Sequence, residues 1–235
     1  MFESSATARE ARIAAARAAL TEVQARIGAE REGGERTPLP LAESLAELLP
    51  GGLRRGSVMS VAGSTSLVLA LAGEASKEGS WVAIVGMPQV GIVAAARRGI
   101  DLGRLALVPH PGAQAATAAA ACVDGMDLVV LGHGLALSDA DRRRLGARAR
   151  ERGTVLLAAG PAGATAWPGS RVELVVESSH WSGLGAGDGR LRDRDMVVAV
   201  RERGRAVRRV TLRLDGERGV WRPGVRGTVL AEEVA

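Results

Sequence analysis

The chain has 235 residues, 46% of them hydrophobic, with a mean hydropathy of +0.08, which supplies one α/β domain with a real core plus a terminal extension and argues against disorder. No apolar run approaches the roughly 18–20 residues of a membrane span, Met1 to Arg9 lack the charged-then-apolar order of a signal peptide, and the single Cys122 excludes an internal disulfide or a cysteine-cluster metal site, so a cytoplasmic protein with no membrane partner is expected. The net charge of +5 and pI of 10.9 invite a polyanion, but Lys77 is the only lysine among 31 basic residues and Ala, Gly, Val and Arg dominate, as in a GC-rich genome, so basicity counts for less than its value suggests.

Thr7 to Glu32 contain no Gly or Pro before Gly28, and Ile13, Leu20 and Ile27 recur at seven-residue spacing with Ala16 and Val23 between. This predicts an amphipathic N-terminal helix over residues 1–33. Its seam of Ile13, Leu20, Val23 and Ile27 either covers the protein's own core or docks on a partner or a second copy, giving a homo-oligomer. Residues 34–48 read as a linker, "EGGERTPLP", and a short helix at Leu41 to Leu49; residues 49–235 then form the main domain.

From Gly56 onward, short apolar runs alternate with helical ones: "SVMSVAG", a helix from Thr65, "SWVAIVG", a helix near Val90 to Arg98, "RLALVP", a helix from Ala113, "MDLVVLG", a helix from Ser138 and "TVLLAAG". Such alternation implies parallel strands buried on both faces. After Ser170 the runs "RVELVVE", "MVVAVRER", "RRVTLRL" and "GVWRPG" follow without helical spacers, which predicts antiparallel strands added at the C-terminal edge of a mostly parallel central sheet flanked by helices.

At "VAGSTSLVLAL" a strand-like run meets a helix-like one, where an NTPase keeps its phosphate loop. That loop needs glycines to expose backbone amides, a lysine for the terminal phosphates and a hydroxyl for the metal. Counting from Gly63, the places of the second glycine, the lysine and the hydroxyl hold Val68, Leu69 and Ala70. Ser64 or Thr65 is left as a helix cap.

The segments "LPGGLRRGSVMSVAGSTSLVLALAGEASKEGSWVAIVG" and "RRGIDLGRLALVPHPGAQAATAAAACVDGMDLVVLGHGLAL" resemble the RecA ATPase core, in which a Leu-Pro-Gly-Gly-Leu turn leads into the first strand, phosphate loop, helix and second strand. The resemblance covers Leu49 to Leu137 and implies a RecA-like fold. It also marks what is replaced: the acidic residues that end the second strand give way to "GMPQ" (Gly86 to Gln89), and the aspartate that ends the fourth strand is Gly132. A general base has to be a carboxylate or comparable group, so the resemblance implies a pseudo-ATPase with no catalytic residues, no cofactor and no metal.

Among such proteins the chain resembles the ImuA-type accessory factors of bacterial DNA-damage mutagenesis, the shorter actinobacterial form in particular. The resemblance implies a role in the SOS response and translesion DNA synthesis. The implied partners are an ImuB-type inactive Y-family polymerase homologue and, through it, an error-prone replicative-type polymerase. The alternative is a SulA-like cell-division inhibitor, which shares a RecA-like fold without a phosphate loop and binds a tubulin-like GTPase.

Direct DNA binding is expected to be weak and non-specific. The loops that would hold DNA in a RecA protein shrink here to "GHGLALSD" and to "GPAGATAWPGS", which has no basic residue. The better polyanion candidate is Arg190 to Arg213, with Arg190, Arg192, Arg194, Arg201, Arg203, Arg205, Arg208 and Arg209; alternation along a strand would align Arg201, Arg203 and Arg205 in one basic ridge. Trp81 is assigned to the core and Trp167, Trp181 and Trp221 to the surface; His110, His133 and His180 lack ligand partners at metal spacing.

Overall fold

The computed structural model describes residues 37–183, 192–215 and 221–223. The expected N-terminal helix with Ile13, Leu20, Val23 and Ile27, and Arg190 of the basic set, lie outside them. In chain order the elements are β1 (Val58–Ala62), α1 (Thr65–Lys77), β2 (Val82–Val85), α2 (Ile92–Arg97), β3 (Leu105–Val108), α3 (Ala115–Gly125), β4 (Leu128–Gly132), α4 (Asp139–Arg152), β5 (Val155–Gly160), β6 (Val172–Trp181), β7 (Asp193–Glu202), β8 (Arg208–Asp215) and β9 (Trp221–Pro223). They form one nine-stranded sheet in the order β3-β2-β4-β5-β1-β6-β7-β8-β9. Strands β3 to β6 of that order pair in parallel, and β7, β8 and β9 add antiparallel at the far edge.

Alternation along the parallel strands sends side chains into two cores. Met59, Val61, Val82, Ile84, Val130 and Leu157 face α1 and α2. Val58, Ala83, Val85, Val129, Leu131 and Leu156 face α3 and α4. Each strand therefore reads as a continuous apolar run, as expected for a sheet covered on both sides. Cys122 of α3 is packed in the second core, where burial pushes its thiol up to about 11 and keeps it protonated and unreactive.

Helix α1 is unusual in being apolar all round. Leu67 through Gly73, Ala75 and Ser76 are buried, because the antiparallel extension carries Met196, Val198, Val200, Val210, Leu212 and Leu214 onto the same core. The segment before β1 joins that core too. Leu39 and Leu53 exchange two backbone hydrogen bonds of 2.8 and 3.1 Å, and Leu45 and Leu48 are fully buried. The helix expected over Leu41 to Leu49 is thus reduced to a 3₁₀ turn at Glu43–Leu45, and the Pro-rich stretch after residue 37 is packed against the domain. Helix α4 starts as its sequence signals: Ser138 and Asp141 form a reciprocal capping box, and Leu145 and Ala149 are the packed side.

Two expectations for the extension change. Arg201, Arg203 and Arg205 do not share a strand: β7 ends at Glu202, and Arg203 and Arg205 lie in the turn that reverses the chain into β8. Arg194 and Arg201 are seven residues apart on β7, roughly 23 Å at the strand rise, so the arginines of this segment divide between opposite ends of the sheet. Trp167, expected at the surface, is 5% exposed; its indole N–H donates to the Arg142 carbonyl and its backbone N–H to the Ser60 hydroxyl. Trp181 is 39% exposed, and Trp81 is half-buried against the second core. Among the described residues no helix is long and apolar enough to cross a membrane.

Candidate functional site: an uncharged cleft at the strand ends

The C-terminal ends of the parallel strands surround a cleft of about 800 Å³. This is where open α/β sheets place their ligands. Its floor is the junction of β1 and α1. Only Gly63 and Ser64 separate the strand from the helix, so no loop encircles a phosphate. The Ser64 hydroxyl accepts a hydrogen bond from the Leu67 N–H at 3.2 Å and so caps α1. Gly63 is pressed against β6: a Cβ there would stand 3.1 Å from the Val176 Cβ.

Of the positions matched to a phosphate loop, Gly63, Ser64, Thr65 and Val68 line the cleft, and Leu69 and Ala70 do not. Val68, Leu69 and Ala70 are 2%, 3% and 5% exposed and turn into the core under the antiparallel strands. Thr65 opens α1 at the cleft. The polar groups on the walls are Gln89, His110 and His133 beside Ser64 and Thr65; no lysine, arginine, aspartate or glutamate lines the cleft among the described residues. The two histidines are far apart in sequence and both come to the rim because β3 and β4 end there, a proximity that spacing alone did not signal. Among the described residues no group of three or more His, Cys, Asp or Glu side chains is placed to hold a metal ion.

Glycines close the ends of β2 and β4. A Cβ on Gly132 would lie 2.2 Å from the Gly86 carbonyl oxygen, and one on Gly86 would lie 2.3 Å from a methyl carbon of Leu135. The two strand ends are packed closely, which leaves no room for a side chain at Gly86 or Gly132 without displacing a neighbour.

Beside the floor, Arg194 donates from Nε to the Ser179 hydroxyl at 2.7 Å, reaches Ser64 at 3.4 Å and covers the Trp181 ring at 5.3 Å. Burial holds its guanidinium below the usual arginine range. Arg98 is lowered as well, first by burial and then by Arg97 and Arg194. Both stay cationic at neutral pH.

The remaining arginines of the sequence-predicted set have separate surroundings. Arg209 is held by Glu177 in a two-pronged ion pair of 2.7 and 3.2 Å on the outer face of the extension, next to a matching Arg213–Asp195 pair. Arg192 enters β7 through a backbone bond to Ser182. Arg201, Arg203, Arg205 and Arg208 gather at the opposite end of the sheet from the cleft, where Arg54 and Arg171 join them. Those last two were not singled out in the sequence. The available signal was that each directly precedes or nearly precedes a strand, β6 for Arg171 and β1 for Arg54, and that these two strands are neighbours.

A family model described as the MT3502 N-terminal domain matches residues 47–169. The uncharacterized protein Rv3395c of Mycobacterium tuberculosis (strain ATCC 25618 / H37Rv) is 43% identical over 115 residues, which is 47% of this chain and 56% of that protein. The chain therefore matches little more than half the length of that curated relative. The crystal structure of the RadB recombinase matches over 80% of this chain and 100% of its own, with a TM-score of 0.56 and 18% identity. The arrangement is thus RecA-like in fold, as the sequence implies.

Proposed function

The chain belongs to the family of the MT3502 N-terminal domain, and from that premise we propose that it is a RecA-like adaptor without ATPase activity, which helps to assemble a translesion-synthesis complex at damaged DNA. The observation that carries the non-catalytic half is the backbone-to-backbone packing of Gly132 on Gly86 at the head of a cleft lined by no charged side chain among the described residues. A side chain at Gly132 or Gly86 would meet neighbouring atoms, and Leu69, which takes the lysine's place in the resemblance, is buried in the core; both support this reading. Loss of two charge-assisted hydrogen bonds, about 3–6 kcal/mol, lowers nucleotide affinity by roughly 10²- to 10⁴-fold.

The mutagenesis half rests on the resemblance to the ImuA-type factors, one step beyond the likeness to the RecA core carried by Leu49 to Leu137. Its implied partners are an ImuB-type polymerase homologue, bound directly, and an error-prone replicative-type polymerase bound through it. The protein acts by contact and needs no cofactor of its own.

Two experiments test the two halves separately. Titration calorimetry with MgATP should give no binding in the micromolar range and no turnover above background; tight binding or hydrolysis refutes the pseudo-ATPase. Deletion of the gene should abolish damage-induced mutation and leave ordinary recombination intact, whereas a recombination defect counts against the adaptor. Filamentous growth on overexpression, with binding to a tubulin-like division GTPase, would replace this reading with the division-inhibitor one.

A further inference from the structure

At the end of the sheet opposite the cleft, where β1 and β6 begin and β7 turns into β8, a pocket of about 190 Å³ is lined by Arg54, Arg171, Arg205 and Arg208, with Glu202 as its single carboxylate. Four arginines and one glutamate leave it a net charge of +3. Its inner wall is apolar, formed by Leu48, Met59 and Val200, so a charge bound there is poorly screened. Ser57 also lines the pocket, with its hydroxyl oxygen buried behind the wall.

The arginines are arranged to present charge. Arg208 donates to the carbonyls of Glu47 and Leu48 at 2.9 and 3.2 Å, which fixes its guanidinium without neutralising it. Arg54 and Arg171 make no side-chain hydrogen bond or ion pair among the described residues. Arg205 meets Glu202 at 2.8 Å in a pair whose arginine is 72% exposed, and such pairs contribute little. Elsewhere on the same extension the arginines are neutralised two-pronged by carboxylates, as Arg209 is by Glu177 and Arg213 by Asp195.

We propose that this pocket binds a phosphate group of single-stranded DNA. Planar guanidinium forks match the oxygens of a phosphate. A polymer is favoured over a free phosphate because the positive surface continues past the mouth. Arg203, bonded through its N–H to the Arg171 carbonyl at 3.3 Å, stands in the turn beyond it, and Arg201 precedes it at the end of β7; neither has a side-chain partner among the described residues. The contact carries no base recognition, so binding is indifferent to sequence. It is independent of the adaptor reading, since an adaptor that meets only proteins and a DNA-binding protein outside translesion synthesis give different results in the two sets of experiments.

The test uses the full chain and a fluorescent 15-nucleotide oligo-dT, with affinity followed from about 50 to 200 mM salt, where non-specific Kd values lie on the order of 10⁻⁴ to 10⁻⁶ M. The double variant Arg54→Gln/Arg171→Gln should bind at least tenfold more weakly at the lowest salt, with a salt slope flatter by roughly 0.7–1.4, the change expected for one or two single-strand phosphates. Arg143→Gln/Arg144→Gln on the exposed face of α4 removes the same charge and should stay within twofold of wild type; matching melting temperatures show that both doubles are folded. Equal losses in the two doubles would overturn the proposal. So would inorganic pyrophosphate binding that needs Arg54 and Arg171 while oligo-dT does not, or a poly-glutamate competitor that displaces oligo-dT at equal charge concentration.

Discussion

The two ends of the parallel sheet have exchanged the properties expected of an α/β protein. At the C-terminal end, where ligands normally bind, a cleft of about 800 Å³ has no charged side chain on its walls among the described residues, and glycines at the ends of β2 and β4. At the N-terminal end, where strands ordinarily just begin, four arginines surround a far smaller hollow. The difference is one of side chains and not of fold. Leu69 and Ala70 are core residues under β7 and β8, and Gly132 meets the backbone of Gly86. Charge gathers instead at the opposite rim, where water solvates it and polyanions can reach it.

The strongest way to break this comparison is to put a carboxylate back. Gly132→Asp forces a Cβ to within 2.2 Å of the Gly86 carbonyl oxygen in a buried site. Overpacking of about 1–3 kcal/mol adds to the several kcal/mol of an unpaired buried charge, so a loss above about 4 kcal/mol is expected in urea unfolding, with no ATPase gained. Gly134→Asp, two residues on, has nothing within 4 Å of its Cβ and should change stability by less than about 0.5 kcal/mol. Equal, small effects of the two would show that the strand end has room for catalytic groups after all.

Next in size is Trp167→Ala. This ring lies in the connection after β5, packed in the second core beneath Arg142, and its removal should cost roughly 3 kcal/mol or more. A near-neutral result would mean that the connection is a free loop and the cleft end less fixed than its geometry implies.

At the arginine end, the neighbours Arg54 and Arg55 separate structure from binding. Arg55 donates at 2.9 Å to Asp127, whose other oxygen accepts the Trp81 N–H at 3.0 Å. Asp127→Ala should therefore cost about 2–3 kcal/mol by stranding both donors. Arg54→Gln should leave the unfolding midpoint unchanged, since its side chain has no partner to lose.

The sequence made the strand and helix order legible because each parallel strand is a short apolar run bounded by turn residues, as in "MDLVVLG" (Met126 to Gly132). That Val68, Leu69 and Ala70 are apolar was legible at once; that they are buried under β7 and β8 was not. The arginine pocket was not legible. Arg54 and Arg171 are over a hundred positions apart and meet only because β1 pairs with β6 in parallel, a register that no local pattern records. The ridge expected from Arg201, Arg203 and Arg205 erred in the opposite way, since alternation holds within a strand and this strand ends at Glu202. Trp167 was assigned to the surface because its neighbours "ATAWPGS" read as loop, yet a loop residue is buried when its backbone and indole both find partners.

The smallest effect concerns the outer face of the extension, where the comparison is sharpest because its paired arginines share β8 with Arg208, which lines the pocket. Arg213 grips Asp195 through two bonds of 2.7 Å. That grip, with the Arg213 charge and His180 helping and partial burial opposing, holds the Asp195 carboxyl below the usual carboxylate range. A carboxylate depressed in the folded state stabilises above its unfolded pKa of about 3.9 and loses that contribution as pH falls through the lower folded value. Asp195→Asn should therefore lower stability by less than about 1 kcal/mol at pH 7, since half of the Arg213 side chain is in water. The gap between variant and wild type should narrow only below about pH 4, and urea midpoints at pH 7 and pH 3 measure it. The same variant frees the Arg213 charge, so its affinity for oligo-dT at low salt should hold or rise. A fall in affinity would mean that the paired arginines, and not the four around the pocket, are the ones that meet phosphate.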